Sequence, residues 1–312
     1  MINRYVGSLI AEVREKKGET DYSDDNGIPQ SVPIEAANHA QQILQALIYE
    51  VVQGTAPAFF DTKTTIDCET DEASYDLPED IFLGGSVSSV KYSCDGSVDN
   101  YVSLQIGSYS QFGHQSGDPG FFCVRNGIIE VDPIPDHPNG DLQICYHRAL
   151  DSLALRVGRI SARTIDGDYY TDLTLAQDSY LNAVKIQGDE YLCVNSKDGE
   201  VVYYNIGYSD YDSSSRKITF DTNDAPTAGG TISVGDFITL GRYTTTHSKL
   251  DRVCEGYFKA LIARAFDVVN SSYDAQAEET LLKALEGTII NTYRRLVRAR
   301  RNIPYTGKFE YI

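Results

Sequence analysis

Residues 127–148, GIIEVDPIPDHPNGDLQICYHR, decide how the rest of the chain is read. Two short apolar runs, 128–131 and 142–146, flank a connection that holds Pro133, Pro135, Pro138 and Gly140. Proline lacks a backbone donor and fixes φ, so three in so short a span make a rigid, non-helical corner. The spacing of Leu142, Ile144 and Tyr146 sets three large side chains on one face of a strand. The stretch is therefore expected to be a proline-cornered β-hairpin. Helical patterns lie on both sides of it, so the chain order is helix, then sheet, then helix.

Towards the N-terminus, Val6, Leu9, Ile10 and Val13 recur at helical spacing, which predicts a helix over 4–17 that Gly18 ends. The loop over 19–32 is acidic, with Asp21, Asp24, Asp25 and Asn26-Gly27. It fails as a calcium loop. Counted from Asp21 the sixth position is Asn26, and moving Gly27 there puts Tyr22 in the first ligand position. Pro33 then opens a second helix with Glu35 near its positive end. Ala40, Ile43, Leu44, Leu47, Ile48 and Val51 form its apolar stripe, up to Gly54. From Phe59 the period changes to two. Strands are expected over 62–68 and 87–92, with a turn into a short helix over 75–80 between them; residues 103–120 read as irregular.

Towards the C-terminus, residues 156–242 differ in composition. Short strands over 184–186, 191–194, 201–206, 217–220 and 236–240 alternate with Gly, Asp and Ser turns, which points to a small barrel or sandwich. Gly188-Asp189 and Gly235-Asp236 each precede a strand, as a repeat or as two ordinary turns. Helical spacing returns with Leu250, Val253, Cys254, Tyr257, Leu261, Ile262, Ala265, Phe266 and Val269. A last helix is expected over 274–301, and Pro304 begins an extended tail. The fold class is α+β: a helical bundle from both termini packed on a small antiparallel sheet, with an inserted all-β domain, barrel or sandwich. The corresponding division is a core over 1–155, an inserted β domain over 156–242, and core helices with a tail over 243–312.

Composition narrows the function. A chain of 312 residues, 41% hydrophobic and 23% charged, buries a core. Its net charge of −18 opposes general binding to nucleic acid or to an anionic membrane. Six scattered cysteines include no CxxC, so neither a disulfide framework nor a zinc site is indicated; Cys123, Cys145 and Cys254 read as small buried hydrophobes. No apolar signal core or run of eighteen apolar residues occurs, and neither secretion nor membrane association is expected. Catalytic signatures are missing too. His39, His114, His137, His147 and His247 form no HxH or HExxH, and GxSxG, GxxxxGK[ST] and GxGxxG do not occur. No enzyme activity and no cofactor or metal is expected.

Four stretches, in this order, resemble the head-to-tail adaptor (head-completion, connector) proteins of tailed bacteriophages. Leu9-Ile10-Ala11-Glu12-Val13-Arg14, Gly18-Glu19-Thr20, Glu35-Ala36-Ala37 and the stripe over 43–48 are similar to that family's opening helix pair. Ser74-Tyr75-Asp76-Leu77-Pro78-Glu79-Asp80-Ile81 resembles its sheet-entry turn, residues 129–148 its central hairpin, and 250–266 its third helix. The resemblance covers roughly 5–150 and 248–300, and departs from the simple pattern over 156–242, where small adaptors pass almost directly to the third helix. It implies a ring, often of twelve copies, beneath the portal protein, continuing the DNA channel to a tail or tail-completion protein. DNA would pass without specific binding, and the protein would reside in the virion neck after assembly in the host cytoplasm.

The C-terminal end bears on the portal contact. Arg294, Arg295, Arg298, Arg300, Arg301 and Lys308 against Glu310 give +5 over residues 290–312, which leaves −23 on the rest of the chain. Such polarity favours docking on an acidic partner. The resemblance implies that C-terminal segments reach the portal, so Arg294, Arg295, Arg298, Arg300, Arg301, Tyr305, Lys308, Phe309, Tyr311 and Ile312 are the candidate portal-docking residues. A solvated helix end that favours its own negative pole, and DNA contact, are the competing readings of the same charge. For the whole chain the alternatives are a tail-completion ring and a receptor- or carbohydrate-binding tail component. The last is suggested by the tyrosine-rich 156–242 region.

Overall fold

The computed structural model describes residues 4–19, 28–52, 61–82, 87–113, 115–176, 191–220, 225–227, 232–270, 272 and 274–301, with side chains in the last helix as far as residue 296. The expected acidic loop over 19–32, the strand over 184–186, the Gly188-Asp189 turn and the C-terminal tail fall largely or wholly outside them. In chain order the elements begin with helices α1 (Val6–Lys17) and α2 (Ser31–Val52). Strands β1 (Asp61–Asp67), β2 (Ser74–Asp76), β3 (Val87–Ser93), β4 (Val102–Ser103), β5 (Gln105–Ile106), β6 (Phe121–Arg125), β7 (Ile128–Asp132) and β8 (Asp141–His147) follow. Next come β9 (Ser152–Leu153), β10 (Gly158–Asp166), β11 (Tyr169–Leu175), β12 (Tyr191–Asn195), β13 (Val201–Asp212), β14 (Lys217–Phe220), β15 (Phe237–Leu240) and β16 (Thr244–Thr245). Helices α3 (Glu255–Val269) and α4 (Ala275–Arg301) close the chain. The protein is mixed α+β and divides into two compact units, Met1–Val51 with Asp151–Ile312, and Val52–Leu150.

The Val52–Leu150 unit holds two four-stranded sheets, β1-β8-β3-β4 and β2-β7-β6-β5. They share one core, to which the first contributes Val90, Tyr92, Leu142, Ile144 and Tyr146 and the second Tyr75, Phe122, Ile129 and Val131. The alternation read at Leu142, Ile144 and Tyr146 is thus the buried face of β8. The expected hairpin is not formed. β7 pairs with β6 and β2, while β8 pairs with β1 and β3, so residues 133–140 carry the chain from one sheet to the other. An eight-residue connection exceeds the usual span of a hairpin loop. The tight turn lies earlier, at Asn126-Gly127 between β6 and β7, where both residues have positive φ (53° and 82°), as the favoured two-residue hairpin turn requires. Residues 74–76, read as part of a turn, form β2 against β7. The stretch read as irregular contains the end of β4 and all of β5, each the edge of a different sheet.

In the other unit, β10-β11-β14-β13-β12-β15 close into a six-stranded barrel, so the all-β region is a barrel rather than a sandwich. Ile160, Tyr170, Leu173, Leu175, Leu192, Val194, Ile206, Tyr208, Ile218, Phe220 and Ile238 fill it. β10 and β11 were not among the expected strands.

Helices drawn from both ends of the sequence meet in the same unit. Val6, Leu9, Ile10 and Val13 of α1, and Phe258, Leu261, Ile262 and Phe266 of α3, are buried. Charged groups bridge the two helices at the rim. Arg4 reaches Glu12 at 2.9 Å and Glu255 at 2.7 Å, and Lys259 reaches the same two carboxylates at 3.0 and 2.8 Å. Hydrogen bonds from Lys16, Lys259 and Arg4 hold the Glu12 carboxyl down at about 2. The α2 helix is tied to the strand preceding the barrel. The Asn38 amide donates to the Leu153 carbonyl (2.9 Å) and accepts from its N–H (2.6 Å), and Gln41 donates to the Asp151 carbonyl (2.8 Å).

Candidate docking surface

The last helix is the element on which the candidate portal-docking residues sit. Its apolar positions Leu282, Ile289 and Tyr293 are buried, and α3 supplies the opposing surface, with the Tyr257 hydroxyl donating to Glu286 at 2.9 Å. Tyr293 is the anchor nearest the C-terminus. Its hydroxyl donates to Asp251 Oδ2 at 2.8 Å, and burial raises the pKa of that hydroxyl above the usual phenol range. Burial likewise pushes the neighbouring Cys254 thiol up to about 12. A buried ring with a charge-assisted hydrogen bond fixes the rotation of this part of α4.

With Tyr293 facing inward, Arg294 and Arg295 are exposed. Arg298, Arg300 and Arg301 lie on the helical backbone beyond, and Tyr305, Lys308, Phe309, Tyr311 and Ile312 lie outside the described residues. Cations at a helix C-terminus complement its negative pole, and an arginine fork also suits carboxylate recognition. Tyr293 itself was not singled out from the sequence. Its signal was the spacing Leu282, Ile289, Tyr293, seven then four residues, which continues the stripe into the arginine-rich end.

The titratable groups elsewhere have structural surroundings. His147 is 2% exposed, with Nδ1 3.8 Å from an Asp61 carboxylate oxygen and its ring edge-on to Phe82 at 5.1 Å. Burial lowers it to about 4, so it is neutral at physiological pH. His247 is also lowered, by burial and then by the charge of Arg156. Asp118, Asp136 and His137 approach one another on the surface, with His137 Nε2 3.5 Å from an oxygen of each acid. All three are exposed, an ordinary arrangement for surface charges, and nothing further marks them as metal ligands.

A family model described as SU10 adaptor protein matches residues 5–192, more than half of the sequence. The chain belongs to that family. It is a family of phage head-to-tail adaptors, structural components of the virion rather than a class of enzymes. The match begins just before α1, spans both sheets of the Val52–Leu150 unit, and runs past β10 and β11 to the second residue of β12. No curated protein matches the chain significantly. Among the described residues, no helix is long and apolar enough to cross a membrane.

Proposed function

We propose that this SU10-type adaptor assembles into a ring, of twelve copies as is frequent in the family, beneath the portal protein. The ring extends the DNA channel and offers the surface on which a tail or tail-completion protein docks. Family membership is the observation that carries this reading, and the charge asymmetry of the chain supports it. In this reading the terminal helices act as one bundle, and residues 1–155 and 243–312 are the adaptor core into which 156–242 are inserted. The basic end of α4 and the tail, from Arg294 to Ile312, grip an acidic face of the portal. The Tyr293–Asp251 anchor supports that role by giving the arginine-rich end a defined orientation. DNA passes through the ring without specific contacts, since a field of −23 outside the tail repels phosphate.

The direct test is a chain truncated after Val297. It is expected to fold, remain soluble and fail to join portal-containing heads. Normal joining by the truncated chain refutes the docking assignment.

A further inference from the structure

We infer that Arg156 and His247 form a binding site for a carboxylate group, reached from solvent where the start of α1, the run leading into β10 and the segment after β16 meet. The inference does not depend on the adaptor reading. Both faces of the Arg156 guanidinium are covered: its carbon lies 4.1 Å from the centre of the Tyr5 ring and 3.7 Å from that of Phe237. The frame around it is fixed. Tyr5 forms an antiparallel bridge with His247, the Val6 N–H donates to the Thr246 carbonyl (3.0 Å), and the Arg156 N–H donates to the Tyr5 hydroxyl (3.1 Å). Phe237 is set by its pairing with Arg159 in the barrel.

A guanidinium with covered faces binds only through its edge, in its own plane, which is the geometry that matches a carboxylate. Nε is sealed: it is buried and has no hydrogen-bond partner among the described residues. The two Nη atoms are open, being neither buried nor bonded among those residues. No described Asp or Glu forms an ion pair with Arg156, although the chain carries a net charge of −18. A partly buried cation lacking a counter-charge is costly, and an incoming acid relieves that cost. His247 supplies a second donor. Its Nδ1 is engaged with Thr246 Oγ1 at 2.8 Å, while Nε2 is neither buried nor bonded among the described residues. The charged or titratable groups that face this ring are Arg156, Tyr5 and the exposed Asp198; burial and then Arg156 hold its pKa down, and Asp198 acts in the opposite sense. One fork accommodates one carboxylate, whereas a phosphate dianion would add a second negative charge beside Asp198 in an acidic field. A bound carboxylate restores to His247 the proton that burial and Arg156 withhold, so binding tightens as pH falls through the imidazole range.

The test follows the His247 ring signals of the full chain by NMR while sodium acetate replaces sodium chloride at constant ionic strength. Acetate should move them saturably, with affinity at least about threefold higher at pH 6 than at pH 8. Arg156→Lys, which keeps the charge and removes the fork, should weaken binding at least about fivefold. Asp198→Ala, at an exposed turn, removes the one acid facing the ring and should tighten binding at pH 8 by about twofold. Far-ultraviolet circular dichroism and the melting temperature check that both variants fold; should Arg156→Lys not fold, Asp198→Ala and the pH dependence of the wild type carry the test. A blocked Gly-Asp-Gly peptide that binds more tightly than acetate assigns the carboxylate to a protein side chain, and acetate binding at least as tightly assigns it to a small acid. The inference is overturned by signals that do not move beyond the chloride control, by an affinity unchanged between the two pH values, by wild-type affinity in Arg156→Lys or in Asp198→Ala, or by inorganic phosphate binding more tightly than acetate.

Discussion

The neutral His147 in the core of the Val52–Leu150 unit makes stability there depend on pH in a defined window. An unfolded imidazole takes up its proton below about 6.5, whereas the folded one does so only below about 4. Between these values the unfolded state binds more protons, so stability is full above 6.5, falls as pH drops, and levels off below 4. At 1.36 kcal/mol per unit the separation corresponds to about 3 kcal/mol. Because pH 4.5 lies above the folded midpoint, not all of this is reached there, and about 2 kcal/mol is the expected loss between pH 7.5 and 4.5. Urea unfolding of the wild type and of His147→Gln at both pH values isolates the contribution, because every other group titrates in both chains. The wild type should lose about 2 kcal/mol more than the variant over this interval. An NMR titration of the His147 ring proton should give a midpoint near 4. Equal losses in the two chains, or a midpoint near 6.5, refute the reasoning.

Three further substitutions test the packing described above, each read by urea denaturation. Asn195→Ala removes a buried amide that donates to Thr239 Oγ1 (2.9 Å) and accepts from the Thr246 N–H (3.2 Å), and should cost about 2–3 kcal/mol because the Thr246 donor is left without this acceptor. Gly199→Ala should destabilise by about 2 kcal/mol or more. Its backbone has φ of 89°, and an added Cβ would lie 2.3 Å from the His247 ring. Tyr293→Phe should cost about 1–2 kcal/mol through loss of the hydrogen bond to Asp251, while the helical circular dichroism signal is retained.

The helices were legible because each buries one stripe for several turns. Val6, Leu9, Ile10 and Val13 have a spacing that no strand produces, and α1 ends at Lys17, just before Gly18. The buried face of β8 was legible for the same reason at period two. Its partners were not, since alternation reports which side chains face the core and carries no information about the neighbouring strand. The proline-rich corner was mistaken for a hairpin turn, although Asn126-Gly127, just ahead of β7, held the stronger turn signal. β10 was missed because most of it faces solvent: beyond Ile160 its side chains are exposed, and GRISARTID has no apolar alternation. The Asp166-Gly167 pair at its end, with Gly167 at φ 59°, marks the turn into β11 and could have revealed both strands. For the candidate docking end, the charge was visible in the sequence. Its orientation depends on a tyrosine whose partner is 42 residues away, a relation that only the folded chain discloses.

Imaging of the virion neck at subunit resolution tests the adaptor assignment most directly. The expected result is a closed ring of this chain on the portal axis, with the arginine-rich end of α4 against the portal. The same chain found at the periphery of the tail, or a ring whose α4 ends point away from the portal, contradicts the account.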